Sequence, residues 1–282
     1  MLQTAKPIAS NPMASNPMAS NPMASPTKGW RKTVMCIFLL LFLLPILLRG
    51  LLYALGTQPA NWRDANWSSA GMLPAASDYP PARVVVMSGR AGGLKGVVAV
   101  HSWIVVKHAA ARAWTRYDVV GWGNPLRTNN WPPDGRWFGT VPTMVADVSG
   151  AEAEALLPRI EAAVQNYQYD HAGDYRLWPG PNSNTFVATV LRAVPELSAE
   201  LPPNAIGRDF RAAPYAGLSD SGTGIEANLW GVLGIKVGLV EGVEINLLGL
   251  VAGFDLRHPA IKLPGFGRIG FAAAAASAAP TL

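Results

Sequence analysis

The longest uninterrupted apolar stretch of the chain lies near its N-terminus. Residues 33–48 read TVMCIFLLLFLLPILL without a charged side chain, and GLLYALG continues the apolar character beyond Arg49. A helix needs about 20 apolar residues to cross a bilayer, and the Arg49 side chain can extend toward the membrane interface. The pattern therefore predicts a transmembrane helix over 33–55. A cleaved signal peptide is the alternative, which the length of the run and the poor cleavage sites nearby disfavour.

The pattern changes to that of β-strands after residues 56–81, which read as a linker containing Pro, Ser and Trp. Three segments rich in β-branched residues predict an antiparallel meander: ARVVVMSG (82–89), GVVAVHSWIVVK (96–107) and WTRYDVVGWG (114–123). The second is apolar on both faces, as expected for a covered central strand, and it carries His101 in its middle. Residues 124–140, rich in Trp and Pro, predict a long loop, and loops of that length are often functional.

Two helices are predicted to follow. Ser149 and Glu152 fit a capping box at the start of the first helix, and Pro158 is expected to break or kink it. Its apolar face comprises Ala153, Leu156, Leu157, Ile160, Val164 and Tyr167. The second helix is expected to begin near Ser183 and to end about Val194, because Pro195 disfavours a helical conformation in the residue before it.

The C-terminal part is apolar and rich in glycine. Within residues 225–254, the charges of Lys236, Glu241 and Glu244 argue against a second membrane span. We expect short strands or a hairpin, packed on the domain or against the membrane surface. The chain as a whole is predicted to have an α+β fold behind one transmembrane helix, organised as a disordered tail with an MASNP repeat (1–32), the helix (33–55), a linker (56–81), an α+β domain (82–200), a β-rich extension (201–270) and a loose Ala-rich tail (271–282).

The distribution of charge along the chain indicates a membrane topology and does not indicate nucleic-acid binding. The chain carries a net charge of +5, but all of this excess lies in residues 1–56, which contain five basic residues and no acidic one. Residues 57–282 hold 18 basic and 18 acidic residues and are therefore neutral. Nucleic acid is excluded as a partner. Lys28, Arg31 and Lys32 precede the apolar run, which predicts a cytoplasmic N-terminus and a C-terminal domain on the other side of the membrane.

Cysteine and histidine usage narrows the chemistry. The single cysteine, Cys36, lies inside the apolar run, so the remaining domain has no disulfide, thiolate nucleophile or cysteine metal site. His108, His171 and His258 show no metal-ligand spacing among themselves. No metal and no cofactor are predicted.

A short string at 178–191, WPGPNSNTFVATVL, leads from a Pro/Gly turn into the second helix. A small polar residue at this place is typical of a helix N-cap. The same position also offers unpaired N–H groups and positive potential, which suit a nucleophile and an oxyanion. Ser183 can therefore be a cap or a nucleophile, and the string alone leaves both interpretations open.

The order of His101, a further strand and then Asn182-Ser183-Asn184 resembles circularly permuted papain-like folds, including the lecithin-retinol acyltransferase-like group and desumoylating peptidases. Their histidine precedes an Asn-Cys-Asn or similar string at a helix start. The resemblance covers about 82–195 and puts Ser183 where those proteins have cysteine. It implies a permuted papain-like α+β domain over 82–200, with His101 as the base and Asp118, or else Tyr117, as its orienting group. N–H groups of residues 183–185 would then bind the oxyanion.

A second resemblance covers most of 57–282. The strings AVHSWIVVK, YDVVGWG, DGRWFGT, WPGPNSNTF, PELSAELPPNAIGRDF and KLPGFGRIG are similar to an uncharacterised bacterial domain-of-unknown-function family. Its members are membrane-anchored proteins of Gram-negative bacteria. The resemblance implies a single-pass protein of the bacterial inner membrane with a periplasmic C-terminal domain. It implies no activity.

Together these features give two functional hypotheses. The first is a periplasmic, membrane-anchored Ser/His hydrolase or acyltransferase that acts on amide or ester bonds of cell-wall peptides or lipids. Trp122, Trp137, Trp178, Asn182 and Asn184 would bind the substrate, and the lipid bilayer is the expected partner. The alternative is a non-catalytic binding or scaffolding module of the cell envelope in which serine has replaced the cysteine of a papain-like site.

Overall fold

The computed structural model describes residues 28–197 and 199–270; the predicted repeat tail up to residue 27 and the Ala-rich tail 271–282 lie outside the described residues. Residues 28–32, which the sequence pattern places in the disordered tail, are helical. The helical backbone comprises α1 (Lys28–Phe38), a π-helical segment (Leu39–Leu43) and α2 (Leu44–Leu55). Residues Gly29–Leu55 are long and apolar enough to cross a membrane.

One stripe of the helix beyond Phe38 packs on the domain. The buried and half-buried residues there are Phe42, Pro45, Ile46, Arg49, Gly50 and Tyr53. Their spacing of three and four residues places them on one helix face. The π-helical segment contacts the strand Leu250–Asp255, and the Tyr53 hydroxyl donates to the carbonyl oxygen of Gly93 over 2.8 Å. The leucines of the opposite helix face remain exposed.

The first sheet has five antiparallel strands in the order β4-β3-β2-β1-β5. They are β1 (Arg83–Arg90), β2 (Val100–Lys107), β3 (Thr115–Val119), β4 (Leu126–Thr128) and β5 (Thr143–Ser149). The predicted three-stranded meander is confirmed, although β3 is shorter than expected and His101 is the second residue of β2 rather than its middle. The predicted loop 124–140 contains β4, and sequence reasoning missed β5. Asp147 of β5 pairs with Arg83 of β1 over 2.6 Å, a contact that the sequence pattern cannot show.

Two helices, α3 (Gly150–Gln165) and α4 (Ser183–Ala193), pack on one face of this sheet. The limits predicted for α4 are confirmed. Of the predicted break or kink at Pro158, the break is wrong, because α3 continues through this residue; the kink stays a prediction. The predicted capping box is also wrong, since the Ser149 side chain makes no cap hydrogen bond.

Aromatic residues and the linker cover the other face of the five-stranded sheet. Trp103 and Trp137 are buried there, and Trp67, Trp131 and Phe138 pack against them. Trp67 comes from the linker 56–81, so this segment folds back on the domain. Asp134 fixes the linker by accepting hydrogen bonds from the Ser69 hydroxyl and from the N–H groups of Met72 and Leu73.

The second sheet is an antiparallel meander of seven strands in sequence order. They are β6 (Tyr215–Leu218), β7 (Gly224–Leu229), β8 (Leu233–Gly238), β9 (Gly242–Leu247), β10 (Leu250–Asp255), β11 (Ala260–Leu263) and β12 (Gly267–Gly270). The short strands predicted over 225–254 are confirmed, and the sheet extends beyond them. The fold is thus α+β, with a mostly β C-terminal region and one candidate transmembrane helix.

Candidate active site

A buried polar group lies on the aromatic side of the five-stranded sheet. His101 Nε2 is 2.9 Å from Asp118 Oδ1, and both side chains are buried. Arg116 binds both oxygens of the same carboxylate, through Nε at 2.7 Å and Nη2 at 2.9 Å. Arg116 and Asp118 are two residues apart on β3, so their side chains share a face. Of the two orienting groups suggested by the sequence, Asp118 contacts His101, whereas Tyr117 packs on the helix side.

The surroundings set the charge states of this group. Burial lowers the pKa of His101 below its ordinary value, and it outweighs the opposite influence of Asp118. Burial alone would raise the pKa of Asp118, but the positive charge of Arg116 and the hydrogen bonds of His101 and Arg116 lower it. The stable pair is therefore a carboxylate and a neutral imidazole. Because Asp118 can only accept, Nε2 carries the proton and Nδ1 has a free lone pair.

Trp137 covers the His101 ring. The two rings are parallel within 6° with centroids 3.7 Å apart, and Trp103 lies 5.9 Å away on the same strand face. Gly89, which pairs with His101 in the neighbouring strand, leaves the room for this arrangement, because a Cβ atom there would lie 2.8 Å from Trp137 Cβ. The imidazole is thus held by stacking as well as by its hydrogen bond.

The contacts at the start of α4 show which residue caps the helix. Asn182 is the N-cap, since its Oδ1 accepts from the N–H groups of Asn184 and Thr185 over 2.9 and 3.2 Å. Thr185 Oγ1 accepts in return from the N–H of Asn182. Ser183 is the first residue of the helix, so the interpretation of Ser183 as a cap is wrong. Its side chain forms no hydrogen bond with any described residue, although Ser183 as a whole is only 4% exposed.

The cap also corrects the predicted oxyanion site. Two of the three expected N–H donors, those of Asn184 and Thr185, already donate to Asn182. The N–H of Ser183 lies in the first turn, where a helix offers no acceptor of its own. Of these three N–H groups, that of Ser183 is the one not used by the cap.

The amide groups of Asn182 and Asn184 donate to carbonyl oxygens within the protein, and their role in substrate binding stays a prediction. Asn182 Nδ2 donates to the carbonyl oxygens of Leu177 and Ile206, so both ends of its amide are used within the protein. Asn184 Nδ2 donates to Ile206 and to Val100. Asn184 Oδ1 is buried without a hydrogen-bond partner in the described protein. Both asparagines hold the helix start in place, which was not expected from the sequence.

The contact of Asn184 with Val100 joins the start of α4 to the start of β2. Asn184 Nδ2 lies 2.9 Å from the carbonyl oxygen of Val100, so it joins the neighbour of Ser183 to the neighbour of His101. Side chains alternate along β2, and α4 packs on the face opposite to His101. Ser183 and His101 can therefore approach each other only around the N-terminal end of β2.

The predicted tryptophan group is divided by the structure. Trp122, which is 60% exposed, contacts Trp131, and Trp131 contacts Trp137, with centroids 6.4 and 5.2 Å apart. These rings lead from solvent to His101. Trp178 lies apart, because its Nε1–H donates to the carbonyl oxygen of Leu248 in the turn between β9 and β10. Trp178 thus has a structural contact, which the sequence could not indicate.

Sequence reasoning missed Arg116. The available signal was its position two residues before Asp118 in a strand, which places a permanent positive charge beside the carboxylate. In the described ranges, no group of three or more His, Cys, Asp or Glu side chains could hold a metal ion.

The comparisons with known proteins bear on the family alone. No curated protein and no solved structure gives a significant match to the chain. Residues 81–210 match the model of a family described as "Protein of unknown function (DUF3750)", a segment that includes His101, Arg116, Asp118 and Ser183. The match supports the resemblance to an uncharacterised domain-of-unknown-function family.

Proposed function

We propose that this chain is a membrane-anchored protein of the bacterial cell envelope with its domain in the periplasm. The domain hydrolyses or transfers acyl groups at amide or ester bonds, with Ser183 as the nucleophile and His101 as the general base. The observation that carries the proposal is the state of these two groups. His101 is held neutral, with Nε2 bound to Asp118, and the hydroxyl of Ser183 is spared from capping by Asn182.

Serine needs this kind of support more than cysteine does. Its hydroxyl does not ionise near neutral pH, so a neutral base must remove the proton as the bond forms. His101 Nδ1 is the atom available for this step, since Asp118 fixes the tautomer and Arg116 keeps Asp118 ionised. Positioned bases of this kind contribute roughly 10² to 10⁴ in rate.

The proposed reaction proceeds through an acyl-enzyme. Ser183 Oγ attacks the carbonyl carbon while its proton passes to His101 Nδ1. The N–H of Ser183 donates to the oxygen that becomes negative. Collapse of this intermediate releases an amine or alcohol, which takes the proton from His101. Water then attacks the acyl-serine to give a free acid, or an acceptor alcohol or amine attacks it to complete an acyl transfer.

The compartment suggests the substrate class. A domain attached to the periplasmic face of the inner membrane meets cell-wall peptides and acyl lipids. The line of rings from Trp122 through Trp131 to Trp137 offers apolar surface to either a peptide or an acyl chain. We place the substrate on this aromatic side of the site.

Turnover by the full-length protein in lipid vesicles tests the proposal. Cell-wall peptide fragments and phospholipids serve as substrates, and released amine and free fatty acid are measured by mass spectrometry. Ser183→Ala should abolish product formation. Ser219→Ala is the matched control, because Ser219 is buried to the same extent but lies in the seven-stranded region, away from His101.

The non-catalytic alternative gives a different result in the same experiment. If the aromatic surface only binds, the wild-type protein binds a peptide or lipid without product, and Ser183→Ala leaves its affinity unchanged. The occupied N–H groups of Asn184 and Thr185 are the observation that favours this alternative.

A further inference from the structure

The seven-stranded sheet exposes a continuous apolar face. Residues that face each other across neighbouring strands form one row through all seven strands: Leu218, Ile225, Val237, Val243, Phe254, Ile261 and Ile269. Every side chain in this row is between 37 and 66% exposed. Two shorter rows on the same face consist of Ala216, Ala227, Ile235, Ile245 and the buried Ala252, and of Leu229, Leu233, Leu247 and Leu250. None of these sixteen positions is charged. These three rows are called the apolar face below.

The opposite face of the same sheet carries buried charges. Glu226, Lys236 and Glu244 oppose one another across β7, β8 and β9, and each is at most 5% exposed. Lys236 binds Asp209 over 2.6 Å, and Glu244 pairs with Arg208. The segment containing Arg208 and Asp209 therefore covers the polar side. A sheet in water ordinarily has its polar side outward, so the arrangement is inverted.

The candidate transmembrane helix runs beside this sheet. Its π-helical segment, Leu39–Leu43, contacts β10, and its Arg49 side chain lies against Gly265 in the turn after β11. From Leu39 to Arg49 the contacts with this sheet cover ten residue steps, or about 15 Å along the helix axis. This length is roughly half of a hydrocarbon core of about 30 Å. If the helix spans the membrane, the sheet beside it lies at the depth of one leaflet.

We infer that the apolar face is a lipid-contacting surface that inserts into the outer leaflet next to the transmembrane helix. The inference concerns a surface remote from Ser183 and goes beyond the proposed reaction, but it rests on the proposed membrane insertion of Gly29–Leu55. The strands contain four to six residues. A strand needs about 9–11 residues to cross a bilayer, so the sheet enters one leaflet and does not span.

Lipid fits this surface better than a second copy of the chain. The face is uniformly apolar across seven strands, whereas monomeric soluble proteins rarely expose apolar patches of more than a few hundred Å². The leucines on the free side of the helix are exposed as well. A helix in the bilayer holds the sheet among acyl chains without any need for a second protein.

Spin labels at single cysteines in the full-length protein test the surface directly. The natural Cys36 is replaced by serine, and Ile225→Cys, Ile235→Cys and Ile261→Cys are labelled separately. The protein is reconstituted in vesicles of phosphatidylethanolamine and phosphatidylglycerol. Collisions of each label with oxygen and with a water-soluble nickel chelate are then measured. Oxygen concentrates in hydrocarbon and the chelate concentrates in water. The ratio of the oxygen collision rate to the chelate collision rate should therefore be at least about threefold higher for labels at these sites than for a label in water.

Two control sites separate this inference from the proposed membrane anchor. Leu40→Cys reports on the helix, and Ala172→Cys reports on an exposed loop of the other part of the domain. A lipid signal at Leu40 and at the three sheet sites supports the inference. A lipid signal at Leu40 with frequent chelate collisions at the sheet overturns it, as does protection of the sheet from both reagents, which indicates a protein partner. A water signal at Leu40 overturns the membrane anchor as well.

Discussion

The two sheets of this protein differ in which of their faces are buried. The five-stranded sheet is covered on both faces, by helices on one side and by tryptophans on the other, and its few buried polar groups are concentrated around His101. The seven-stranded sheet is buried mainly on its charged side, whereas most of its apolar side is exposed. Hydrophobicity therefore does not decide by itself which face of a strand is buried. Which face is buried depends also on the element that packs against the strand and on the surrounding solvent.

The largest loss of stability is expected when a buried ion pair on the charged face of the seven-stranded sheet is broken. Glu244→Ala removes one of the two carboxylates that Arg208 and Lys262 bind, the other being that of Glu200. Removing one partner of a buried ion pair costs about 3–5 kcal/mol of unfolding free energy. Ile245→Ala is the matched control, because Ile245 is the next residue on the same strand and points to the apolar face. Its cost should be below about 1 kcal/mol.

Chemical denaturation in detergent measures both variants. A similar loss of stability in Glu244→Ala and Ile245→Ala would contradict the inverted arrangement of the sheet.

A slightly smaller free-energy change, this time in the barrier to turnover, is expected in the polar site of the five-stranded sheet. Asp118→Asn replaces an acceptor by an amide that can donate to His101 Nε2. The imidazole then carries its proton on Nδ1 and cannot take one from Ser183. The loss in turnover should be at least about 100-fold, equivalent to about 2.7 kcal/mol of barrier.

Asp147→Asn is the control for this change. It removes an Asp–Arg pair from the same sheet at a partly exposed position, and turnover should stay within about twofold, since surface pairs contribute about 0–1 kcal/mol. Circular dichroism verifies that both variants fold. Equal turnover in the two variants would argue against a catalytic role for His101.

The apolar face should tolerate charge in water but not in lipid. Ile235→Lys places an ammonium in the middle of this face and should cost about 1–3 kcal/mol in vesicles, depending on depth. Val141→Lys changes an equally exposed apolar residue in a loop and should cost less than about 0.5 kcal/mol. Unfolding by denaturant in vesicles gives both values. Equal costs would indicate that the apolar face is not in contact with lipid.

The smallest predicted effect is a shift in the pH dependence of turnover and of stability. Because burial lowers the pKa of His101 in the folded protein, the imidazole stays neutral below the ordinary value of about 6.5. Turnover should therefore persist at pH 6 and fall only at lower pH. The unfolded chain binds a proton near pH 6.5 and the folded chain does not, so the contribution of His101 to stability is present above that pH and decreases below it.

Turnover and the unfolding free energy measured between pH 4.5 and 8 test this displacement. An acidic limb of turnover at or above pH 6.5 would contradict the neutral imidazole. His101→Asn should remove the corresponding part of the pH dependence of stability.

Local patterns in the sequence indicated much of the first sheet. Strands β1 to β3 followed from their β-branched residues, and the end of α4 followed from Pro195, because both depend on short-range preferences. The pairing of His101 with Asp118 came from the resemblance to permuted papain-like folds. The capping role of Asn182 was not apparent, since Asn182 and Ser183 are both good caps and only the contacts with Leu177 and Ile206 distinguish them.

The second sheet shows why the remainder could not be predicted. The strings IEANL and VEINL alternate with period two, which indicates that Glu226 and Asn228 share one face. Alternation does not tell which face is covered. That depends on Arg208 and Asp209, which lie 15 or more residues away in the chain and supply the opposite charges.

The central claim is that Ser183 is an activated nucleophile, and labelling with a fluorophosphonate tests it most directly. The serine oxygen bonds to phosphorus, fluoride leaves, and the proton passes to the same base that substrate turnover requires. In the full-length protein, peptide mapping should find the adduct on Ser183. The labelling rate should fall at least about 100-fold in His101→Ala and should be unchanged in Ser219→Ala. An adduct on any other residue, or no adduct in folded protein that remains in the membrane, would contradict the account.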